Sequence, residues 1–244
     1  MSAPALSMVP QLGFPALSDF TARLGSVLPR WARSPQPEPR AELRIDVVIA
    51  PETIEQDLAA LHQRLHRPGD PVSQCATLPL NLPGLRVHHR VADGEDYIYV
   101  EDVLGRRLAG YTVFKRLVEL DRRTDRHFRA PHSRYAAAYQ RRGIATAVYE
   151  WGLARGDCFV SGARQSVGAH ALWQALGRRH PLGFAEIRSK RLHDLASPPD
   201  EALMTALSTR MILLGSGWSA ARLRALGLLH DAVGAEGERL LRRA

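Results

Sequence analysis

Two tight turns constrain most of what this chain can fold into. Residues 85–91, 97–101 and 108–114 are apolar, alternating segments, separated only by Ala92-Asp93-Gly94-Glu95 and by Asp102-Val103-Leu104-Gly105-Arg106. Alternation with a period of two, carried by Val, Ile, Tyr and Phe, marks strands. Connections this short cannot cross over a sheet, so consecutive strands must pair antiparallel. A further extended stretch is expected over residues 134–139.

Downstream the period changes. Ile144, Ala147, Val148 and Trp151 make a helical stripe that Gly156 closes, and Ala169, Leu172, Trp173 and Leu176 make a second stripe ahead of Gly177. Cys158-Phe159-Val160 lies between them as a short buried strand; residues 184–192 and 209–214 read as strands too. Upstream, residues 43–49 read as a strand. Pro51 opens a helix with Glu52 and Glu55 near its positive end and Ile54, Leu58, Leu61 and Leu65 on one face. Residues 71–84 look irregular. Ser197-Pro198-Pro199-Asp200 reads as a helix start leading into Leu203 and Leu207, and Ser219 begins a last helix carrying Leu223, Leu226 and Val233.

The fold class expected is α/β in the α+β sense: a mixed, mostly antiparallel sheet flanked by helices. Residues 1–40 hold seven prolines and are expected to form a flexible arm. Residues 41–215 are expected to form the folded domain and 216–244 a helical C-terminal extension.

Composition excludes several classes. An apolar fraction of 45% supports a buried core. No apolar run is long enough to span a bilayer, and the N-terminus lacks the pattern of a secretory leader, so a cytoplasmic protein with no membrane partner is expected. Cys75 and Cys158 stand far apart and outside any CxxC pattern, which argues against a disulfide framework or a zinc knuckle. The net charge of +8 invites a nucleic-acid reading. Its carriers are arginines scattered along the chain, with only Lys115 and Lys190 as lysines. Such a charge suits a polyanionic small ligand at least as well.

The string with chemical content is Tyr139-Gln140-Arg141-Arg142-Gly143-Ile144-Ala145-Thr146, between a strand and a helix. A helix start leaves backbone N–H groups without partners at the positive end of the macrodipole, and phosphate is their usual guest. Gly143 permits the tight turn and lets a phosphate approach the backbone. Arg141 and Arg142 add charge where a pyrophosphate or ribose phosphate would lie.

This loop resembles the Gcn5-related N-acetyltransferase signature Q/R-x-x-G-x-G/A, filled here as Gln140-x-x-Gly143-x-Ala145. The order of elements around it is similar to that family's, and residues 108–111 look like its third strand. Downstream, Ser166-x-x-Ala169-x-x-Leu172-Trp173-x-x-x-Gly177 follows the spacing of the family's N-x-x-A-x-x-L-Y-x-x-x-G-F, with Ser166 for asparagine and Trp173 for tyrosine. The resemblance runs from Tyr97 to Leu192.

It implies an acyl-CoA-dependent N-acyltransferase, with acetyl-CoA as cosubstrate and no metal. A primary amine, on a small molecule, a protein or a charged tRNA, would attack the thioester directly in a ternary complex. No other nucleic-acid partner is implied, and homodimers are common among such folds. The resemblance further implies that backbone N–H groups of Arg142, Gly143, Ile144, Ala145 and Thr146 surround the pyrophosphate. The chain from Ala137 to Tyr139 would hold the pantetheine arm, with Ser166 and Ala169 also on the cofactor. A base must deprotonate the amine, and Glu119, Asp121 and His132 are the candidates, each with a solvated surface group as the plain alternative. The thiolate would be met at the position of Trp173, whose indole is no acid, with His170 and Ser166 as alternative donors. The competing expectation is that Trp173 fills the core and the thiolate leaves unaided, or that the domain has no activity; the rival functions are a non-catalytic module binding CoA or a partner, and a basic nucleic-acid-binding protein.

Other constellations are thinner. His62 and His66 stand four apart on one helical face, a spacing that can hold a metal, but no third ligand is evident and none is expected. His88 and His89 point to opposite faces of a strand. Ser161-Gly162 and Ser216-Gly217 lack the strand–Ser–helix context of a nucleophile elbow. Tyr97, Tyr99, Tyr111 and Phe114 read as sheet packing rather than as a platform for bases.

Overall fold

The computed structural model describes residues 50–195 and 209–231, all within one compact unit of the chain. The proline-rich arm, the strand at 43–49, the helix entered at Ser197 and the tail with Val233 lie outside these residues. Helices are α1 (Pro51–Leu65), α2 (Arg122–Asp125), α3 (Ile144–Ala154), α4 (Val167–Gly177) and α5 (Ala220–Ala225). Strands are β1 (Ala76–Leu78), β2 (Leu85–Ala92), β3 (Glu95–Asp102), β4 (Arg107–Lys115), β5 (Phe128–Tyr135), β6 (Cys158–Val160), β7 (Leu182–Arg188), β8 (Arg191–Asp194), β9 (Thr209–Leu213) and β10 (Leu229–His230).

The sheet is mixed and mostly antiparallel, as expected. Its order is β1-β2-β3-β4-β5-β6-β9-β7-β8-β10. Only β5/β6 and β8/β10 run parallel. The β2–β3–β4 meander forms at its two turns, where Asp93, Gly94 and Arg106 take the positive φ that such turns need. At Gly110 the reason for glycine is close approach: a Cβ there would stand 2.1 Å from the ring of Tyr135 on the paired strand.

Alternation sorts β3 between two cores. Ile98 and Val100 join α3 and α4 on one face, with Phe114, Val148, Leu153, Trp173 and Leu176. Tyr99 packs against α1 on the other, with Leu58, Leu65 and Leu108. A third cluster, around Phe128, Val160, Leu192, Ile212 and Leu223, fills the β6–β10 half. Helix α3 ends as a Schellman motif on Gly156 (φ 98°): Gly156 N–H donates to Leu153 and Asp157 N–H to Gly152, at 3.0 and 3.1 Å.

Four expectations need correction. The stretch 71–84, expected irregular, contains a three-residue 3₁₀ turn at Pro71–Ser73 and the edge strand β1, paired antiparallel with β2. The single strand expected over 184–192 is a β7–β8 hairpin, reversed at Ser189 and Lys190 with φ of 49° and 60°. The last helix stops at Ala225, with Leu226 at its C-cap, and Leu229 returns to the sheet beside Leu192. The extended stretch expected through Tyr139 ends at Tyr135, and Ala137–Tyr139 is a 3₁₀ turn. No helix among the described residues is long and apolar enough to cross a membrane.

Candidate functional site

The two halves of the sheet meet at β5 and β6 and part almost at once. Strand β5 pairs with β6 only at Phe128↔Cys158 and Arg129↔Phe159, while on its other side it pairs with β4 from Ala130 to Tyr135. Strand β6 ends at Val160, and its other edge pairs with β9 through Phe159↔Leu213 and Val160↔Ile212. The main chain of β5 from Ala130 onward therefore has no strand beside it on the β6 side among the described residues. We call this unpaired side of β5 the β5/β6 wedge, and the 136–143 loop follows the end of β5.

That loop is tightly tied. Tyr139 is buried, its hydroxyl donates to Asp102 Oδ2 at 2.5 Å, and Arg107 Nε donates to it at 2.8 Å. The guanidinium groups of Arg107 and Arg142 lie over the Tyr139 ring at 5.4 and 5.3 Å from its centroid. The Tyr139 hydroxyl, followed by the Gly105 N–H, holds Asp102 below the usual carboxylate range. Gln140 Nε2 donates to the Tyr135 carbonyl at 2.9 Å and so spans the 3₁₀ turn. Tyr139 and Gln140 thus build the loop, and their side chains are committed to the protein.

Arg141 (φ 58°) and Gly143 (φ 76°) are both left-handed, which bends the chain sharply into α3. An arginine in that region is uncommon and is held there by its surroundings. Gly143 is the N-cap and supplies no side-chain cap; the first helical bond is Ala147 N–H to its carbonyl, at 2.9 Å. Ile144 is anchored in the core, and the N–H groups of Ile144, Ala145 and Thr146, in the first turn, have no helical acceptor. A Cβ on Gly143 would meet nothing within 4 Å, so the space over this helix start is open. Arg141, Arg142, Ala137 and Ala138 are exposed around it. The assembly is a cationic, donor-rich helix start beside the unpaired edge of β5.

The remaining expected residues divide. Ser166 caps α4, its Oγ accepting from Ala169 N–H at 3.1 Å, so both groups serve the helix start. Trp173 is 3% exposed and packs edge-on to Tyr149 in the main core. His170 has a buried Nδ1 with no partner among the described residues. Glu119 accepts from the buried guanidinium of Arg210 on β9 at 3.0 Å, so its role is to balance that charge. Asp121 caps α2, accepting from the N–H groups of Arg123 and Thr124 at 2.8 and 3.0 Å. His132 lies on β5 beside Tyr111, on the α1 face; burial, then Lys115 and Arg134, push its pKa down, which leaves it a neutral imidazole at neutral pH.

Two groupings escaped the sequence reading. A chain of hydroxyls lies behind the β5 edge: Tyr149 to Ser133 at 3.4 Å, Ser133 to Thr112 at 2.9 Å and Thr112 to Tyr135 at 3.0 Å. Burial raises Tyr149 to about 12. On the opposite face of the sheet, Glu101 is 3% exposed and is met by His66 and His88 at 2.6 and 2.8 Å, with His62 at 3.4 Å. The third donor that the His62–His66 pair lacked in the sequence is therefore present. A shallow open depression lined by Gly94, Arg116, Asp125, Arg126 and Arg129 lies at the other end of β5 and holds a satisfied ion pair, Arg116–Asp125, at 2.6 Å. Compared with family models, curated proteins and solved structures, the chain finds no match.

Proposed function

We propose that this chain is an acyl-CoA-dependent N-acyltransferase of the Gcn5-related kind. The observation that carries the reading is the coincidence of the β5/β6 wedge with the uncapped start of α3. A ligand with a pyrophosphate at one end and a long polar arm at the other fits such a pair of features. The phosphates take the N–H groups of residues 144–146 and the two arginines, and the arm lies in the wedge, hydrogen-bonded along the unpaired edge of β5. The pantetheine-binding stretch is then residues 130–135 rather than 137–139.

In this reading the catalytic power is mostly positioning of thioester and amine, with backbone donors polarising the carbonyl. His132, neutral and on β5, is the base, directly or through water. Glu119 and Asp121 are excluded from that role by their structural bonds. Trp173 belongs to the core, and the phenol of Tyr149, linked to Ser133 on the α3 face of β5, is the acid for the departing thiolate. The amine donor is a small molecule, a protein or a charged tRNA. The buried Trp173 also favours one second reading, a CoA-binding module without chemistry.

Thiol release from acetyl-CoA, measured across a panel of small amines, amino-terminal peptides and lysine peptides, separates the two. Amine-dependent release that falls at least tenfold in His132→Ala supports the enzyme. CoA binding with no release for any amine supports the module, and absence of CoA binding rejects both.

A further inference from the structure

We infer that His62, His66 and Glu101 form a binding site for a divalent late transition metal ion, zinc in the first instance, with His88 orienting the carboxylate. The site lies between the last turn of α1 and strands β2 and β3, on the face of the sheet opposite α3, and shares no residue with the proposed acyl-CoA site.

The placement follows from two periodicities. Positions i and i+4 of α1 bring the imidazoles of His62 and His66 onto one face, with ring centroids 4.7 Å apart. Alternation along β3 puts Tyr97, Tyr99 and Glu101 on the side that α1 covers, and the diagonal cross-strand neighbour on β2 is His88. Glu101 is thus a carboxylate carried into a hydrophobic interface, 3% exposed, with no arginine or lysine among the described residues to meet it. Three imidazoles surround it instead, each presenting Nε2. Two of them hydrogen-bond it, and an ion seated between Oε1 and the imidazoles of α1 would join all of these groups.

The distances point to a metal as that joint. His62 Nε2 is buried and makes no hydrogen bond, yet stands 3.4 Å from Glu101 Oε1. Two ligands on one tetrahedral zinc, each about 2.0–2.2 Å from the ion, are separated by about 3.4 Å. His66 Nε2 lies 2.6 Å from the same oxygen, and its side chain is half exposed, so it is free to move back by the fraction of an ångström that an ion needs. The three donor atoms lie within 4.8 Å of one another. His88 Nε2 bonds the other carboxylate oxygen, Oε2, at 2.8 Å, which turns Oε1 toward the two histidines of α1. That is the usual arrangement of a partner that orients a metal-ligating carboxylate.

Donor chemistry sets the ion. Two neutral imidazoles and one carboxylate suit zinc, cobalt or nickel, whereas calcium and magnesium want oxygen ligands. The helix reads His62-Gln63-Arg64-Leu65-His66, with glutamine where the H-E-x-x-H helix of zinc peptidases carries its general base. The site is therefore assigned to holding an ion and pinning α1 to the sheet, and no hydrolytic step is assigned to it.

The test is zinc titration into the full chain, freed of metal with a chelator, by calorimetry and by thermal unfolding. Wild type is expected to bind one ion per chain and to melt higher with zinc, reversibly on adding EDTA. His66→Ala removes a half-exposed ligand without opening the core and is expected to weaken binding by at least ~100-fold; His88→Ala is expected to weaken it by about tenfold. Glu101→Gln keeps the shape and loses the charge, and it too is expected to abolish binding. Wild type that binds no zinc, or that binds it no better than His66→Ala, overturns the proposal and leaves a hydrogen-bonded cluster. Because no loop residue is involved, CoA binding can fail while this site stands, and the reverse.

Discussion

Helices α3 and α4 are near twins that begin differently. Each has 11 residues, and each presses an apolar stripe into the same core. Helix α4 starts at Ser166, whose hydroxyl takes the Ala169 N–H, and its start is chemically closed. Helix α3 starts at Gly143, which has no side chain to offer, after an arginine held at positive φ. Glycine at an N-cap costs only a few tenths of a kcal/mol relative to serine, threonine or aspartate, and the φ of 76° at Gly143 itself favours glycine. In the proposed function, the uncapped donors of α3 and the two exposed arginines beside them take the phosphates of the ligand, and α4 has only a packing role.

The largest effect that can break this comparison is charge at the open start. Aspartate and asparagine both tolerate the left-handed backbone better than most residues. Gly143→Asp is expected to lower CoA affinity by at least ~100-fold (about 3 kcal/mol), through repulsion and a competing cap, while Gly143→Asn, neutral and of equal size, loses far less. Calorimetry on the two variants checks this; equal affinities would show that the helix start does not meet the phosphates. Next, Arg141→Ala and Arg142→Ala should each weaken CoA by about tenfold, the worth of one charge-assisted bond, with Arg142→Ala also loosening the loop over Tyr139. At the other helix, Ser166→Ala is expected to cost about 1 kcal/mol in denaturant unfolding and to leave CoA affinity unchanged. A large loss of affinity there would mean that α4 also carries the ligand.

The smallest effect concerns the far end of α3. Arg155 forks onto Asp96 at 2.9 Å through both nitrogens, and His89 adds a bond at 2.8 Å. Burial pushes the Asp96 carboxyl up, but the bonds from Arg155 and His89 outweigh it and the net shift is downward from 3.8. A depressed carboxyl stabilises the fold fully above its unfolded pKa, and that contribution fades as pH falls below about 4 through the folded value. Unfolding free energy should therefore drop below pH 4 more steeply in wild type than in Asp96→Asn. Parallel slopes would mean that this pin contributes no pH dependence.

Regular features of this molecule were legible in the sequence because one physical signal dominated them. The β2–β3–β4 meander follows from alternation plus two short turns, and α3 and α4 follow from apolar stripes closed near glycine. What was missed lacked such a signal. Strand β1 is three residues long and exists through its pairing with β2. The β7–β8 hairpin turns on Ser189 and Lys190, which adopt positive φ without the asparagine or glycine that announces such turns. The turn from the 136–143 loop into α3 was legible because its signal is local to the eight residues 139–146. The Glu101 cluster was half legible: the His62–His66 spacing was visible, but its carboxylate arrives from 35 residues away along β3. A charged residue alternating with buried tyrosines was the available signal. The bonds that Glu119 and Asp121 make, to a buried arginine on β9 and to the helix start of α2, were not legible in the sequence, since both partners are set by the fold.

The most direct measurement is calorimetric titration of the full chain with CoA, acetyl-CoA and 3′-dephospho-CoA. Micromolar or tighter binding of CoA and acetyl-CoA at one per chain, lost in Gly143→Asp and retained in Ser166→Ala, is the expected result. A folded chain that takes up none of the three ligands would contradict the assignment of the β5/β6 wedge and the α3 start to an acyl-CoA.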